Sequence, residues 1–276
     1  MDEWEHATSF SAQGMWWESA RKKFVTVDYR FYKYIGHEYW FENLQECKFN
    51  VTKPSEFNDP FDCTGVFREP WNNDAKALFH GRETFLGKMN DRSWADEFYR
   101  VLCLTDAQLC DAASEALFWS HYANWGKGIR VTLEVGDGTF IPTGNVRCVR
   151  YCHAKPVLDM EHYKGSLDLY NYLIDCMTTK GISWGYEHEV RVIFEKGKTF
   201  LDAAVAAKDI RFVRIQRSCV KEITFGPMFN DEEARNFAHK LIPVFGDSSI
   251  FYKALRDDVY YRYNYYPLFD NEKNQI

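Results

Sequence analysis

The chain has 276 residues, 46% hydrophobic and 17% aromatic, enough to bury a full core as one large domain or two small ones. Lys and Arg number 34 against 40 Asp and Glu, a formal charge of -6, which argues against a generally basic nucleic-acid surface and favours small molecules or proteins as partners. Eight cysteines without a CxxC pair give no zinc signature, the N-terminus lacks a secretory pattern, and no apolar run approaches the ~18 residues of a membrane span; a cytoplasmic protein with free thiols and no membrane association is expected.

Residues 1–24, polar with scattered tryptophans, are expected to form an N-terminal helical arm. A single mixed domain is expected over 25–255, followed by an aromatic C-terminal tail over 256–276 that carries Tyr260, Tyr261, Tyr263, Tyr265 and Tyr266. Within the domain, β-branched and aromatic residues predict a strand over 25–34, then a helical stretch near 37–46 and a short strand over 48–51. Pro54 and Pro60 impose a non-helical path on 52–62. A weak helical pattern over 72–98 precedes a buried strand over 99–104, and 112–123 is helical up to the glycines Gly126 and Gly128. Clean alternation makes 129–135 a strand, with a turn at 136–138 and another strand over 145–151. Helical spacing runs from 158 to 179, and period-two alternation from 187 to 194. Strands are expected over 210–215 and 220–225, and the acidic turn Asp231, Glu232, Glu233 opens a helix over 231–244. Strands and helices mingle without a regular βαβ beat, so the expected class is α+β.

The run from Trp184 to Phe194 carries the most chemistry. Alternation places Glu187, Glu189, Arg191 and Ile193 on one face and His188, Val190, Val192 and Phe194 on the other. Such a charged face is either solvated surface or an ordered polar site, and in a dry site the two glutamates would push one pKa up. Asn58, Asp59 and Pro60 form a turn that is either structural or the mouth of a pocket. Trp119, His121, Tyr122 and Trp125 end a helix and either pack in the core or line a site for a planar ring. Lys33 and Tyr34 sit in an apolar strand, where the lysine either snorkels to solvent or meets a phosphate. GxSxG, Walker A, GxGxxG and HExxH are absent. Asp59, Asp62, Glu187 and Glu189 could converge on a divalent metal, as in a nuclease or phosphodiesterase, but their spacing does not demand it and no metal is predicted.

Tyr32-Lys33-Tyr34, Phe57-Asn58-Asp59-Pro60-Phe61-Asp62, Cys103-Leu104-Thr105, Trp119 to Ala123, Trp184 to Arg191 and Glu222 to Gly226, in this order and spacing, resemble a bacterial domain-of-unknown-function family numbered 2971 over roughly residues 30–260. That family carries no established reaction. The early strand, the helix and short strand after it, and the late strand bearing Glu-x-Glu also resemble the layout of the ADP-ribosyltransferase superfamily. This second resemblance implies a central, mostly antiparallel, split sheet flanked by helices, and NAD as substrate. It implies that Glu189 stabilises the oxocarbenium-like transition state and that Glu187 orients the acceptor, a protein or a nucleic acid. Lys33, Tyr34, Asn58, Asp59, Trp119, His121, Tyr122 and Arg191 would then bind the dinucleotide, with Lys33 or Arg191 at the pyrophosphate and Trp119 or Tyr122 against the nicotinamide. The implied setting is an effector in conflict between bacteria and phage, with a homodimer as one assembly. A non-catalytic module that senses a nucleotide or a partner is the alternative to both enzyme readings.

Overall fold

The computed structural model describes residues 15–18, 23–26, 30–36, 38–68, 92–136, 139–141, 145–159, 166–195 and 211–269. Its strands are β1 (Met15–Glu18), β2 (Lys23–Thr26), β3 (Arg30–Ile35), β4 (Lys48–Asn50), β5 (Val66–Arg68), β6 (Tyr99–Asp106), β7 (Ile129–Glu134), β8 (Phe140–Ile141) and β9 (Asn145–Cys148). They continue as β10 (Arg150–Cys152), β11 (Val157–Asp159), β12 (Thr179–Gly181), β13 (Glu189–Glu195), β14 (Phe212–Ile215), β15 (Val220–Phe225), β16 (Phe251–Arg256) and β17 (Tyr263–Pro267). The α-helices are α1 (Trp40–Gln45), α2 (Ala112–His121), α3 (Ser166–Met177) and α4 (Asp231–Phe245).

Eight strands form one sheet in the order β17-β16-β15-β7-β3-β6-β13-β9. Its neighbours are antiparallel except for the parallel pair β15 and β16. From β9 to β15 the strands lie fourth, fifth, second, first, third and sixth when counted along the chain in this sheet. The chain is thus mixed α and β, with a large, mostly antiparallel sheet and few helices.

One ladder is incomplete. β3 pairs with β7 along its whole length, from Arg30 opposite Glu134 to Ile35 opposite Ile129. With β6 it pairs only at Phe31–Asp106 and Tyr32–Thr105, and past Tyr32 the two strands part.

Three packed clusters hold the strands. Trp40 and Leu44 of α1 and Ala234, Ala238 and Leu241 of α4 bury the same face as Val190, Val192, Phe225 and Phe251. Tyr34, Phe118, Trp119 and Ala254 pack α2 against β3 and β16. Tyr99, Ile193, Tyr172, Cys176 and Met177 seat α3 beneath β6 and β13. Helix ends follow capping chemistry: the Asp111 side chain accepts from Ser114 N at 2.8 Å, Asn230 from Glu233 N at 3.0 Å, and Gly246 closes α4 with φ of 78°.

The structure corrects several expectations. Residues 15–18 and 23–26 are paired strands, so the described part of the N-terminal arm is a hairpin ladder and not a helix. Of the expected 158–179 helix, 166–177 is helical, while 157–159 pairs with β5 and 179–181 with β10; residues 160–165 lie outside the described residues. The aromatic tail is part of the domain, since β17 forms the edge strand against β16. Glu187 ends a 3-10 turn (Ile182–Glu187), and His188, left-handed at φ of 42°, breaks the period-two register before β13 begins at Glu189. The 72–91 part of the expected helix over 72–98 lies outside the described residues, and 92–97 is a 3-10 helix. No helix among the described residues is long and apolar enough to cross a membrane.

Candidate functional site

A cavity of about 850 Å³ opens where β3 leaves β6. Lys33, Tyr34, Ile35 and Gly36 form one wall, the C-terminal end of α2 with its following loop (His121, Tyr122, Asn124, Trp125) another, and Lys48, Asn58 and Trp184 complete it. Lys33, Lys48 and the amides of Asn43, Asn50, Asn58 and Asn124 line it, and no carboxylate does among the described residues. In a chain of charge -6 that lining favours an anionic occupant. The size lies in the upper part of the range of small-molecule sites, which spans roughly 300–1,000 Å³.

Lys33 donates to the Cys103 carbonyl at 3.0 Å across the gap between the strands. Burial pulls its pKa down, opposed by Cys103 and Glu189. It has no ion pair closer than 4 Å among the described residues, and the Cys103 carbonyl and the more distant Glu189 charge favour its ionised form.

Behind the wall lies a buried ionic cluster. The Arg191 guanidinium forks onto Asp62, with Nη1 to Oδ1 at 2.8 Å and Nη2 to Oδ2 at 2.6 Å. It also grips Glu189, with Nε to Oε1 at 2.8 Å and Nη2 to Oε2 at 3.0 Å, and donates to the Met177 carbonyl at 2.6 Å. Lys180 stands between the carboxylates, 2.5 Å from Glu187 Oε2, 3.4 Å from Glu189 Oε2 and 3.8 Å from Asp62 Oδ2, under the Trp184 ring at 4.7 Å.

One side chain joins the cluster to the cavity. The Tyr122 hydroxyl, on the cavity wall, donates to Glu187 Oε1 in a short hydrogen bond and accepts from Asn58 Nδ2 at 3.5 Å.

The environment drives the two glutamates apart. Burial and the Glu189 charge raise the Glu187 pKa, against the pull of Lys180. Burial works against the ionised form of Glu189 too, but the guanidinium of Arg191 and then the Lys180 ammonium hold its carboxyl well below the usual range. The two carboxyls are therefore pushed in opposite directions, Glu189 toward its ionised form and Glu187 toward its protonated one.

Of the residues expected from sequence, Lys33, Tyr34, Asn58, His121 and Tyr122 meet at the cavity. Glu187 and Glu189 lie in the layer behind it, each about 95% buried. Three others play different parts. Trp119 is core, edge-on to Tyr34 at 5.1 Å. Asp59 is buried in its turn, accepting from Phe61 N at 2.9 Å while its carbonyl accepts from Arg92 at 2.8 Å. Arg191 is fully buried and occupied by carboxylates, so it is an ion-pair partner and not a phosphate contact. Asp62, Glu187 and Glu189 do converge, but the cation at their centre is the Lys180 ammonium, and Asp59 stays in its turn. Trp125, expected either in the core or lining a site for a planar ring, lines the cavity. Sequence reasoning missed Lys180, Lys48 and Trp184 as site residues; Trp184 was visible as an aromatic beside the motif, while nothing in the spacing marked Lys180.

Comparison with known proteins leaves the site to its geometry: no family model, no curated protein and no solved structure matches this chain.

Proposed function

We propose that the cavity binds NAD and that the protein is an ADP-ribosyltransferase-like enzyme that breaks the bond between nicotinamide and ribose. The observation that carries this reading is the coincidence of two features: a cavity lined by lysines and amides where β3 parts from β6, and, in the layer behind it, a glutamate pair whose pKa values are pushed apart and which the Tyr122 hydroxyl links to the cavity. The resemblance of the Lys33 strand and the Glu-x-Glu strand to that superfamily's layout supports the choice of NAD over other nucleotides. Lys33 and Lys48 supply charge for a pyrophosphate, and Tyr122 and Trp184 supply ring faces.

In this reading the anionic Glu189 favours positive charge growing on the ribose as the C–N bond breaks and nicotinamide leaves with the electron pair. Glu187 takes the proton of the incoming acceptor through the Tyr122 hydroxyl, which passes its own proton to Glu187 Oε1 as it receives one. Nicotinamide release from NAD tests this directly. The wild type is expected to release it, and Glu189→Gln to lose at least about 100-fold in rate, the scale of one lost electrostatic contact at a transition state. Tyr122→Phe, which keeps the ring, should slow the transfer step by roughly tenfold or more. A wild type that leaves NAD intact contradicts the enzyme reading.

One observation favours a second reading, a nucleotide-sensing module without turnover. Both Glu189 oxygens are already engaged by Arg191. NAD that raises the melting temperature yet survives intact would select it.

A further inference from the structure

Three consecutive residues after α2, Asn124, Trp125 and Gly126, have left-handed backbones with φ of 47°, 57° and 79°. Glycine takes that conformation without steric cost and asparagine visits it readily, so Trp125 is the one held there against its preference. The loop is fastened from both sides. Gly126 N donates to Trp119 O at 2.8 Å, Gly128 N to Ala123 O at 2.8 Å, and Met228 N to Gly126 O at 2.9 Å. Two glycines make room for it: a Cβ on Gly36 would lie 2.5 Å from Asn124 N, and one on Gly226 would lie 2.2 Å from Gly126 O.

The product of this strain is an indole held in water. Trp125 is 74% exposed, makes no ring contact among the described residues, and lines the cavity. Its neighbour Trp119, six residues earlier, is 1% exposed, which shows what the core does with a tryptophan it can bury. Strain that buys no burial within the chain points to a ligand. The lining selects the ligand's class, since lysines and amides without a carboxylate suit an anion that carries a planar ring.

We propose that Trp125 is a preset stacking platform for the adenine base of the dinucleotide, a role that rests on the cavity being an NAD site. The two indoles of the lining differ in a way that assigns the base. Trp184 covers Lys180 and so belongs to the glutamate end, where the nicotinamide bond would be broken. Trp125 stands at the solvent rim, where the part of the ligand that is not cleaved would lie.

Titration calorimetry on the full chain with NAD, AMP and nicotinamide mononucleotide, for wild type, Trp125→Ala and Trp125→Phe, tests the assignment. Stacking on an aromatic side chain predicts that Trp125→Ala weakens NAD and AMP by about tenfold or more, that Trp125→Phe recovers most of that loss, and that nicotinamide mononucleotide is unaffected. Equal affinities of wild type and Trp125→Ala for NAD and AMP overturn the platform while leaving the NAD reading intact. Selective weakening of nicotinamide mononucleotide overturns the adenine assignment. A wild type that binds none of the three overturns the NAD reading and this role with it. Because the side chain is exposed and its backbone strained, Trp125→Gly is expected to raise the melting temperature; a clear fall would mean that the indole packs within the chain and would remove the argument from strain.

Discussion

Arg191 decides how the glutamate pair behaves. A fully buried guanidinium is tolerable only because Asp62, Glu189 and the Met177 carbonyl satisfy it, and removing one partner from such a cluster leaves a buried charge without compensation. Its hold keeps the pKa of the Glu189 carboxyl low, while burial and the Glu189 charge raise that of Glu187. The two residues therefore tilt stability in opposite directions. Glu189, whose folded pKa is depressed, contributes stability that is present above the ordinary carboxylate value and is lost as pH falls through its folded pKa. Glu187, whose folded pKa is raised, favours the folded state below that value, and the contribution fades as pH climbs through its folded pKa. Glu187→Gln should accordingly flatten the decline in stability as pH climbs above the ordinary carboxylate value, read as urea midpoints over a pH series. An unchanged slope would mean that Glu187 titrates normally in the folded protein.

At the level of elements, the most consequential correction concerns β17. It was legible as an aromatic tail because five tyrosines crowd 260–266, but its pairing partner, β16, is set by tertiary packing. The Tyr265 ring lies 4.2 Å from the Arg130 guanidinium, Tyr32 lies at the same distance from it, and the Tyr265 hydroxyl donates to Glu115, the carboxylate that also pairs with Arg130. The last strand is thereby tied to β3, β7 and α2 through one cation. Tyr265→Ala is expected to cost roughly 2–4 kcal/mol in denaturant unfolding, through lost burial and cation–π contact. A peripheral tail would cost less than about 0.5 kcal/mol. Most other elements were readable from periodicity and end signals: β6, β7, β13, β15, α2 and α4 fall within a few residues of their sequence-derived bounds. The misreadings came where local pattern and tertiary pairing disagree. The apolar residues from Leu158 onward carry a helical spacing, yet 157–159 pairs with β5, and 179–181, where the expected helix ends, pairs with β10. His188 adopts a left-handed backbone that no alternation rule anticipates, and it lifts Glu187 off the strand.

For the whole molecule, the site was half visible in the sequence. The Asn-Asp-Pro-Phe-Asp turn, the end of α2 and the Glu-x-Glu-x-Arg strand, far apart along the chain, do come together, but in two layers: Asn58 and Tyr122 at the cavity, Asp62, Glu189 and Arg191 behind it. Sequence gives residue types at spacings; only the parting of β3 from β6 determines which side chains face the opening. That Lys180 completes the buried cluster follows from the fold of β12 against β10 and from no motif. The central claim is that a dinucleotide occupies this opening, with its reactive ribose beside the Tyr122–Glu187 pair and its phosphates near Lys33. A crystal structure of the protein with a non-cleavable NAD analogue tests it most directly. The predicted result is analogue density in the cavity between β3 and the end of α2, with the nicotinamide ribose within hydrogen-bond reach of Tyr122. Analogue density elsewhere on the surface, or an empty opening at saturating analogue, would contradict the account.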